Sequence, residues 1–344
     1  MHQTSETLNA VDLFSGCGGL TEGLKQAGVK VIGALEFDAK ACQTYKLNHP
    51  EVELIEDDIR RISPECFSNK LKIEKGKLDL LAGCPPCQGF STLRTRNKRA
   101  SRDERNALID NFLSYVIHLS PKSVMLENVP GLEKHYRFKQ FVSSLRREGY
   151  KVSYKILDVS DYGVAQRRNR LILLANKLQD PVFADKIKMK ETVASIIGGL
   201  ESPSESKDDI HTIPEKRTNQ VKEIIKNIPK DGGSRKDLPE HLVLKCHISF
   251  SGFSDVYGRM KWDSQSPTIT SGCHNPSKGR FLHPDEDRTV TLREASLLQG
   301  FPKDYKFIRK HGKESLGLMI GNALPPPFIK AHAAEIVKVI RNAS

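Results

Sequence analysis

Short apolar runs alternate with amphipathic stretches over the first half of the chain. Val11 to Phe14 is apolar and stops at Ser15-Gly-Cys-Gly-Gly19, after which a helical pattern runs through about Ala27. Val31 to Leu35 predicts a second strand, Asp38 to Leu47 a second helix, and Glu51 to Ile55 a third strand. Lys77 to Ala82 predicts a fourth strand, which ends abruptly at Gly83-Cys-Pro-Pro-Cys87. A helix over Asn106 to Leu119 and a strand over Ser123 to Leu126 follow, the strand ending at Glu127-Asn-Val-Pro130. Phe138 to Glu148 reads as helix, Tyr150 to Leu157 as extended chain, and Arg170 to Ala175 as another apolar strand. Strands alternating with helices predict an open, mostly parallel α/β sheet. The rhythm breaks after Asn176. Residues 177 to about 290 are richer in Pro, Gly, Ser and charge, with Gly198-Gly199 and Gly232-Gly233 among the turns. They predict a smaller, loop-rich second domain. Ala331 to Arg341 predicts an amphipathic C-terminal helix.

Composition narrows the class. With 38% hydrophobic and 28% charged residues, the 344-residue chain is ordinary for a soluble globular protein. No apolar run of about 18 residues predicts a membrane span, and the polar stretch Met1 to Ala10 does not resemble a secretory signal. Seven cysteines, an odd number over a long chain, favour reduced thiols over a disulfide scaffold. The net charge is +12, which attracts a polyanion. The excess is uneven: residues 1–93 carry −3, residues 94–170 carry +9, residues 171–290 carry +1 and residues 291–344 carry +5.

Four motifs bear chemistry, and each alone also has a plain structural reading. In Asp12-Leu-Phe-Ser-Gly16-Cys-Gly18-Gly19-Leu20, a strand turns through glycines into a helix, which lets a ligand approach the backbone. Glu36 lies 20 residues after Gly16, where an acidic residue can bond ribose hydroxyls. Position 21 is Thr, so this is not the dinucleotide G-x-G-x-x-G/A pattern; a structural strand-helix turn is the alternative. Cys84-Pro-Pro-Cys87 could be a redox pair, half of a zinc site or a nucleophilic thiolate at a strand end. Cys246 and Cys273 stand alone rather than as a second ligand pair, so no metal site is expected. Glu127-Asn128 at the next strand end suggests proton management, or simply a solvated strand end. Arg168 and Arg170 differ by two and would share one face of an extended chain, suited to a phosphate or a polarised carbonyl; a solvated basic turn is the alternative.

Taken in order, these motifs resemble the DNA cytosine-5 methyltransferase family. Further matching elements are Asp58-Ile59, Arg105-Asn-Ala-Leu108, Gln166-Arg-Arg-Asn-Arg170, Thr291-Leu-Arg-Glu-Ala295, Gln299-Gly-Phe-Pro302 and Gly321-Asn-Ala-Leu-Pro-Pro326. The resemblance spans residues 10 to about 340 apart from 177 to about 255, and Tyr257 to Asp263, Ser266 to Thr270 and Asn275 to Arg280 look like bacterial restriction-modification members.

The resemblance implies a Rossmann-like S-adenosylmethionine-dependent sheet with a smaller target recognition domain. It assigns residues 1–178 plus 318–344 to catalysis and residues 179–317 to DNA recognition. Cytosine C5 is a poor nucleophile, and family members add a cysteine thiolate to C6 to make C5 enamine-like. Cys87 matches that nucleophile and Cys84 does not; Glu127 matches the carboxyl at ring N3, and Arg168 and Arg170 match the arginines near the cytosine carbonyl. For the cofactor, which leaves as S-adenosylhomocysteine, Phe14 would pack on the adenine. The backbone of Gly16, Cys17, Gly18, Gly19 and Leu20 would surround the methionine part. Glu36 would take the ribose hydroxyls beside Phe37, and Asp58 the adenine amino group beside Ile59. Leu108, Asn322 and Ala323 would complete the pocket, with Pro86 by the methyl group.

The target base must be flipped out of duplex DNA. The basic loop from Gln88 to Arg105 would close over it, with Gln88, Ser91, Arg94, Arg96 and Arg99 as DNA contacts. Arg259, Thr268 and Thr270 are the expected contacts from the second domain. The expected setting is a cytoplasmic, nucleoid-associated monomer without a long regulatory extension; a cognate restriction endonuclease is a candidate partner whose presence the sequence leaves open. The rival readings are a transfer-RNA methyltransferase of the same fold, whose Cys-Phe-Thr signature is missing here, a catalytically silent DNA-binding regulator, and a thiol-disulfide enzyme. Neutralising Arg94, Arg96 and Arg99 together should weaken DNA binding and flatten its salt dependence while leaving the methylated sequence unchanged. Salt-titrated binding and bisulfite sequencing check this, and a changed target sequence overturns it.

Overall fold

The computed structural model describes residues 7–86, 108–244 and 255–343. The chain divides into two compact units, the first made of Met1–Tyr162, Asn169–Lys186 and Leu324–Ser344, the second of Gly163–Arg168 and Ile187–Ala323. The unit boundaries therefore fall at 186/187 and 323/324, and the basic Gln166–Arg168 segment lies with the second unit.

The first unit is built on a seven-stranded sheet of order β3-β2-β1-β4-β5-β7-β6. Its strands are β1 (Asn9–Leu13), β2 (Lys30–Glu36), β3 (Glu53–Glu56), β4 (Leu80–Gly83), β5 (Ser123–Asn128), β6 (Lys151–Asp158) and β7 (Asn169–Asn176). Pairing is parallel from β3 through β5, and β7 runs antiparallel to both β5 and β6. This is the expected α/β architecture. β1, β4, β5 and most of β7 are buried almost throughout, as strands covered on both faces must be. The start of β1 is tied to the start of β4 by a reciprocal pair. Asn9 N–H donates to Asp79 Oδ2 at 2.9 Å and Asp79 N–H donates to Asn9 Oδ1 at 3.0 Å. Lys122 adds an ion pair to Asp79 at 2.7 Å.

Helices α1 (Gly19–Gln26), α2 (Ala39–Asn48), α3 (Pro64–Leu71), α4 (Leu108–Leu119) and α5 (Tyr136–Arg147) fill the intervals between strands. α2 starts where Asp38 Oδ1 accepts from Ala41 N–H at 2.8 Å. α3 was not anticipated. It begins with Ser63 as N-cap and Pro64 in the first turn, but buries only Phe67 and Ser68, too few positions to leave an apolar stripe. The core joins Leu13, Phe67, Phe112, Tyr115, Phe141 and Leu171 with other apolar side chains.

The second unit, taken by itself, holds α6 (Val193–Ile197), α7 (Asn219–Asn227), α8 (Leu292–Leu298) and α9 (Lys313–Asn322). Among its described residues the only β pairing is in isolated bridges, such as Arg259 with Leu282. The loop-rich character was legible in its composition, but its helices were not. The chain returns to the first unit in α10 (Pro326–Ala343), which begins five residues ahead of the expected amphipathic stretch because prolines are tolerated in a first helical turn.

α1 and α10 pack closely at Gly23. A Cβ there would lie 2.6 Å from both Ile329 Cβ and the Pro326 carbonyl oxygen. Ala normally gains about 1 kcal/mol over Gly inside a helix, but these neighbours are rigid. Gly23→Ala should therefore destabilise the chain by about 1–3 kcal/mol through overpacking, seen as a lower midpoint in thermal or denaturant unfolding.

Candidate active site

Most of the sequence-predicted groups of the first unit sit at or just beyond the carboxyl ends of the parallel strands. Strand order reverses between β1 and β4 there, which opens a crevice in such sheets. β1 ends in a turn with one strained step, Phe14 at φ 64°, followed by left-handed glycines, Gly16 at φ 55° and Gly18 at φ 98°, the latter preceding α1. Phe14 and Ser15 N–H groups both donate to the Leu35 carbonyl, which folds the turn onto the end of β2. A Cβ at Gly16 would meet nothing within 4 Å, so the space above the turn is open.

Glu36 closes this turn. Its Oε2 accepts from Gly16 N–H at 2.8 Å, and its Oε1 accepts from Phe37 and Asp38 N–H groups, each at 2.9 Å. Burial raises the Glu36 carboxyl above its ordinary range, with the three N–H groups opposing that shift. Phe37 beside it is 67% exposed, an aromatic face without cover. Cys17, Gly18, Gly19 and Leu20 are buried, and burial pushes the Cys17 thiol up to about 12, which rules it out as a ready thiolate. Phe14 is half-buried against the core. Asp58 follows β3 and is held by Arg60, whose Nε lies 3.0 Å from Oδ1; that hydrogen bond lowers the Asp58 carboxyl. Ile59 and Leu108 are buried and Pro86 is half-buried.

The second cluster gathers on β4, β5 and β7. Glu127, 1% exposed, faces Arg170, whose Nε is 2.8 Å from Oε1. Cys84 Sγ donates to Glu127 Oε2 at 3.0 Å. Asn128 Nδ2 donates to the Pro85 carbonyl at 2.9 Å, tying the segment after β4 to the end of β5. From the sequence, Cys84 stood only as part of a redox, zinc or nucleophilic Cys pair and Asn128 had no role apart from Glu127; neither was expected to make these contacts. The available signal was their adjacency to Pro85 and Glu127 in two strand-end motifs. Cys87, Gln88, Ser91, Arg94, Arg96 and Arg99 lie outside the described residues.

Several expectations need correction. Arg168 and Arg170 do not act as a pair on one strand face: β7 starts at Asn169, and Arg168 belongs to the second unit. Arg168 is buried, and its Nη1 donates to the Ile269 and Gly321 carbonyls at 2.9 and 3.0 Å, an anchoring rather than a catalytic arrangement. Arg259 is not a DNA contact. It is fully buried and donates to the carbonyls of Ile225, Ile228, His283 and Glu286 and to Asp287. Thr268 Oγ1 donates to the Arg167 carbonyl at 2.8 Å, so its hydroxyl hydrogen serves the fold of this unit. Thr270 is half-buried, with backbone so close to Gly321 that a Cβ there would clash. Asn322 is exposed, and the Ala323 carbonyl accepts from Gln299 within the same unit.

The sheet order, with β7 antiparallel between β5 and β6, is that expected of an α/β methyltransferase. The sequence profile of the C-5 cytosine-specific DNA methylases matches residues 8–338, and the chain belongs to that family. It is 33% identical to the type II methylase M.HgiDII of Herpetosiphon aurantiacus, over 96% of this chain and 95% of that protein. It is 30% identical to the type II methyltransferase M1.HphI of Haemophilus parahaemolyticus, over 98% of this chain and 88% of that one. A solved structure assigned as a DNA modification methyltransferase of an E. coli prophage superposes with a TM-score of 0.71 at 25% identity, covering 97% of this chain and all of that one. The protein is a DNA cytosine-5 methyltransferase, similar over nearly its whole length to bacterial type II enzymes.

Asp12 lies beneath the glycine turn and is completely buried. Its Oδ2 accepts from the Thr21 hydroxyl at 2.8 Å, which also contacts the Tyr45 hydroxyl, while Oδ1 has no hydrogen-bond partner. Burial pushes the Asp12 carboxyl from 3.8 up to about 7, the Thr21 hydroxyl opposes this, and the Glu36 charge adds to it. Between these values the folded chain holds a proton that the unfolded chain has released, so this group's contribution to stability falls as pH rises from about 4 to 7. Asp12→Asn should remove that slope. Relative to wild type, the variant should gain stability from pH 5 to about pH 7 and level off above it, measured by urea unfolding; parallel curves would refute the shift.

Proposed function

We propose that the chain transfers a methyl group from S-adenosylmethionine to C5 of a flipped-out cytosine in a specific duplex DNA sequence, through a covalent bond between Cys87 and C6. The observation that carries this reading is the buried Glu127, held by Arg170 and Cys84 at the end of β5, on the same sheet edge as the Glu36 turn. The first unit would be the catalytic domain and the second the target recognition domain.

The residues present fit the cofactor. Glu36 keeps acceptor capacity after binding three N–H groups, the turn leaves open space at Gly16, and the exposed Phe37 ring offers a stacking face. Glu36 would hold the ribose hydroxyls, Phe14 and Phe37 the adenine, and Asp58 its amino group once Arg60 shares the carboxylate. When bound, S-adenosylmethionine supplies an electrophilic methyl group on a sulfonium.

The protein's own part is nucleophilic and electrostatic. The Cys87 thiolate would add to C6, moving an electron pair toward C5 and the ring N3–carbonyl system. Glu127 would hold a proton at N3, and Arg170 would fix that carboxyl and stabilise charge on the carbonyl oxygen. After methylation a base removes the C5 proton, and the electron pair expels the thiolate. Extracting the base from the stack costs a few kcal/mol, which phosphate contacts from the basic 94–170 stretch would offset. We place the enzyme in the bacterial cytoplasm at the nucleoid, acting as a monomer alongside a restriction endonuclease of the same specificity.

The test uses DNA from cells expressing the chain. Bisulfite sequencing should reveal protected cytosines in one recurring sequence, and the purified chain should form a denaturation-resistant adduct with that duplex carrying 5-fluorocytosine. Cys87→Ser should form none. Methyl transfer to transfer RNA but not DNA, or an adduct that survives in Cys87→Ser, would refute the proposal.

A further inference from the structure

Cys84 is set by its surroundings to face Glu127. Its N–H reaches the Leu13 carbonyl at 3.4 Å, Pro85 follows with a ring-fixed φ, and the Pro85 carbonyl is bonded by Asn128. The thiol therefore leaves the end of β4 in a fixed direction and meets Glu127 Oε2 at 3.0 Å. The other oxygen, Oε1, is 2.8 Å from Arg170 Nε. The two carboxyl oxygens are thus engaged from two sides by two different strand ends. A sulfur and a carboxylate oxygen this close need a proton between them, so Cys84 is present as a thiol donor and not as a thiolate. That separates it from a nucleophile, which must be a thiolate.

We infer that Cys84 is a positioning residue, whose thiol donates to Glu127 Oε2 and holds the carboxyl in the rotamer and plane from which it meets the target base. The inference rests on the proposed cytosine chemistry at Glu127. Without the thiol, Oε2 loses a donor that fixes its plane while Arg170 engages Oε1. With both contacts it keeps one orientation before the base arrives, and less of the alignment has to be gained during the reaction. Cys84 touches neither substrate nor cofactor in this role and acts only through Glu127.

The test measures methyl transfer from S-adenosylmethionine to genomic DNA isolated from a host without cytosine methylation. Cys84→Ala should lower kcat about fivefold to tenfold, the loss of one hydrogen bond to a charged group. KM for DNA and for S-adenosylmethionine should stay within about twofold, since neither ligand is contacted. Cys84→Ser, which retains a donor, should recover kcat to within about twofold of wild type. In a Glu127→Gln background, Cys84→Ala should change kcat less than about twofold, because the residue through which it acts is already altered. Calorimetric binding of S-adenosylmethionine checks folding of each variant, and Cys84→Val, similar in volume and without a donor, replaces Cys84→Ala if that variant does not fold. Wild-type kcat in the donor-free variant, no rescue by Ser, or an undiminished effect in the Glu127→Gln background would overturn the assignment. If the wild-type chain itself methylates no DNA, the proposed function fails instead, and the two failures are distinguished.

Discussion

A buried carboxylate that accepts three backbone N–H groups organises the edge of this sheet. Glu36 ends β2, and through Gly16 it fixes the turn that leaves β1; through Phe37 and Asp38 it fixes the chain that enters α2. A carboxylate so placed loses hydration, which raises its proton affinity, and the N–H groups return much of what water would have supplied. The left-handed step at Phe14 is held by its own and the Ser15 N–H bonds to the Leu35 carbonyl, while Gly16 and Gly18 adopt such angles freely. Removing the carboxylate would leave the Gly16 N–H unpaired in a turn otherwise held by the Phe14 and Ser15 N–H groups on the Leu35 carbonyl.

The second carboxylate, Glu127, follows a different logic. Glu36 is surrounded by fixed backbone donors, whereas Glu127 is engaged by two side chains, a guanidinium and a thiol. Backbone donors cannot be re-aimed, which suits a group that holds a shape. Side-chain donors from strand ends can share an oxygen with an incoming base, which suits a group that takes part in a reaction. The antiparallel β7 makes this possible: its pairing with β5 sets Glu127 opposite Ile172, bringing Arg170 two residues away on the same face.

Much of the first unit was legible because its strands are short, apolar and bounded by glycine, proline or a carboxylate. The strand and motif pattern placed Glu36 and Glu127 at strand ends, and the family resemblance singled out Asp58. What escaped was whatever depends on a partner distant in sequence. The thiol of Cys84 acquires meaning only beside Glu127, 43 residues on, and Asn128 only beside the Pro85 carbonyl. α3 escaped for another reason: it is set by its Ser63-Pro64 start rather than by an apolar stripe.

The arginines of the second unit show why residue type misleads about DNA contacts. A unit with isolated bridges instead of sheet ladders leaves many carbonyls without strand partners, and each one buried away from water needs a donor. The five-donor guanidinium fork meets that need. Arg259 serves four carbonyls, Arg280 those of Gly232, Gly233 and Arg259, and Arg168 those of Ile269 and Gly321. Arg288 and Arg293 pair with Glu294 and Asp208. These cations hold loops together, and their donors are engaged within the unit rather than offered to a phosphate. In the proposed reading, attraction to phosphate would draw on the basic stretch between 94 and 170 and on exposed lysines, with bases read by groups of the second unit that are not tied up in its own carbonyls.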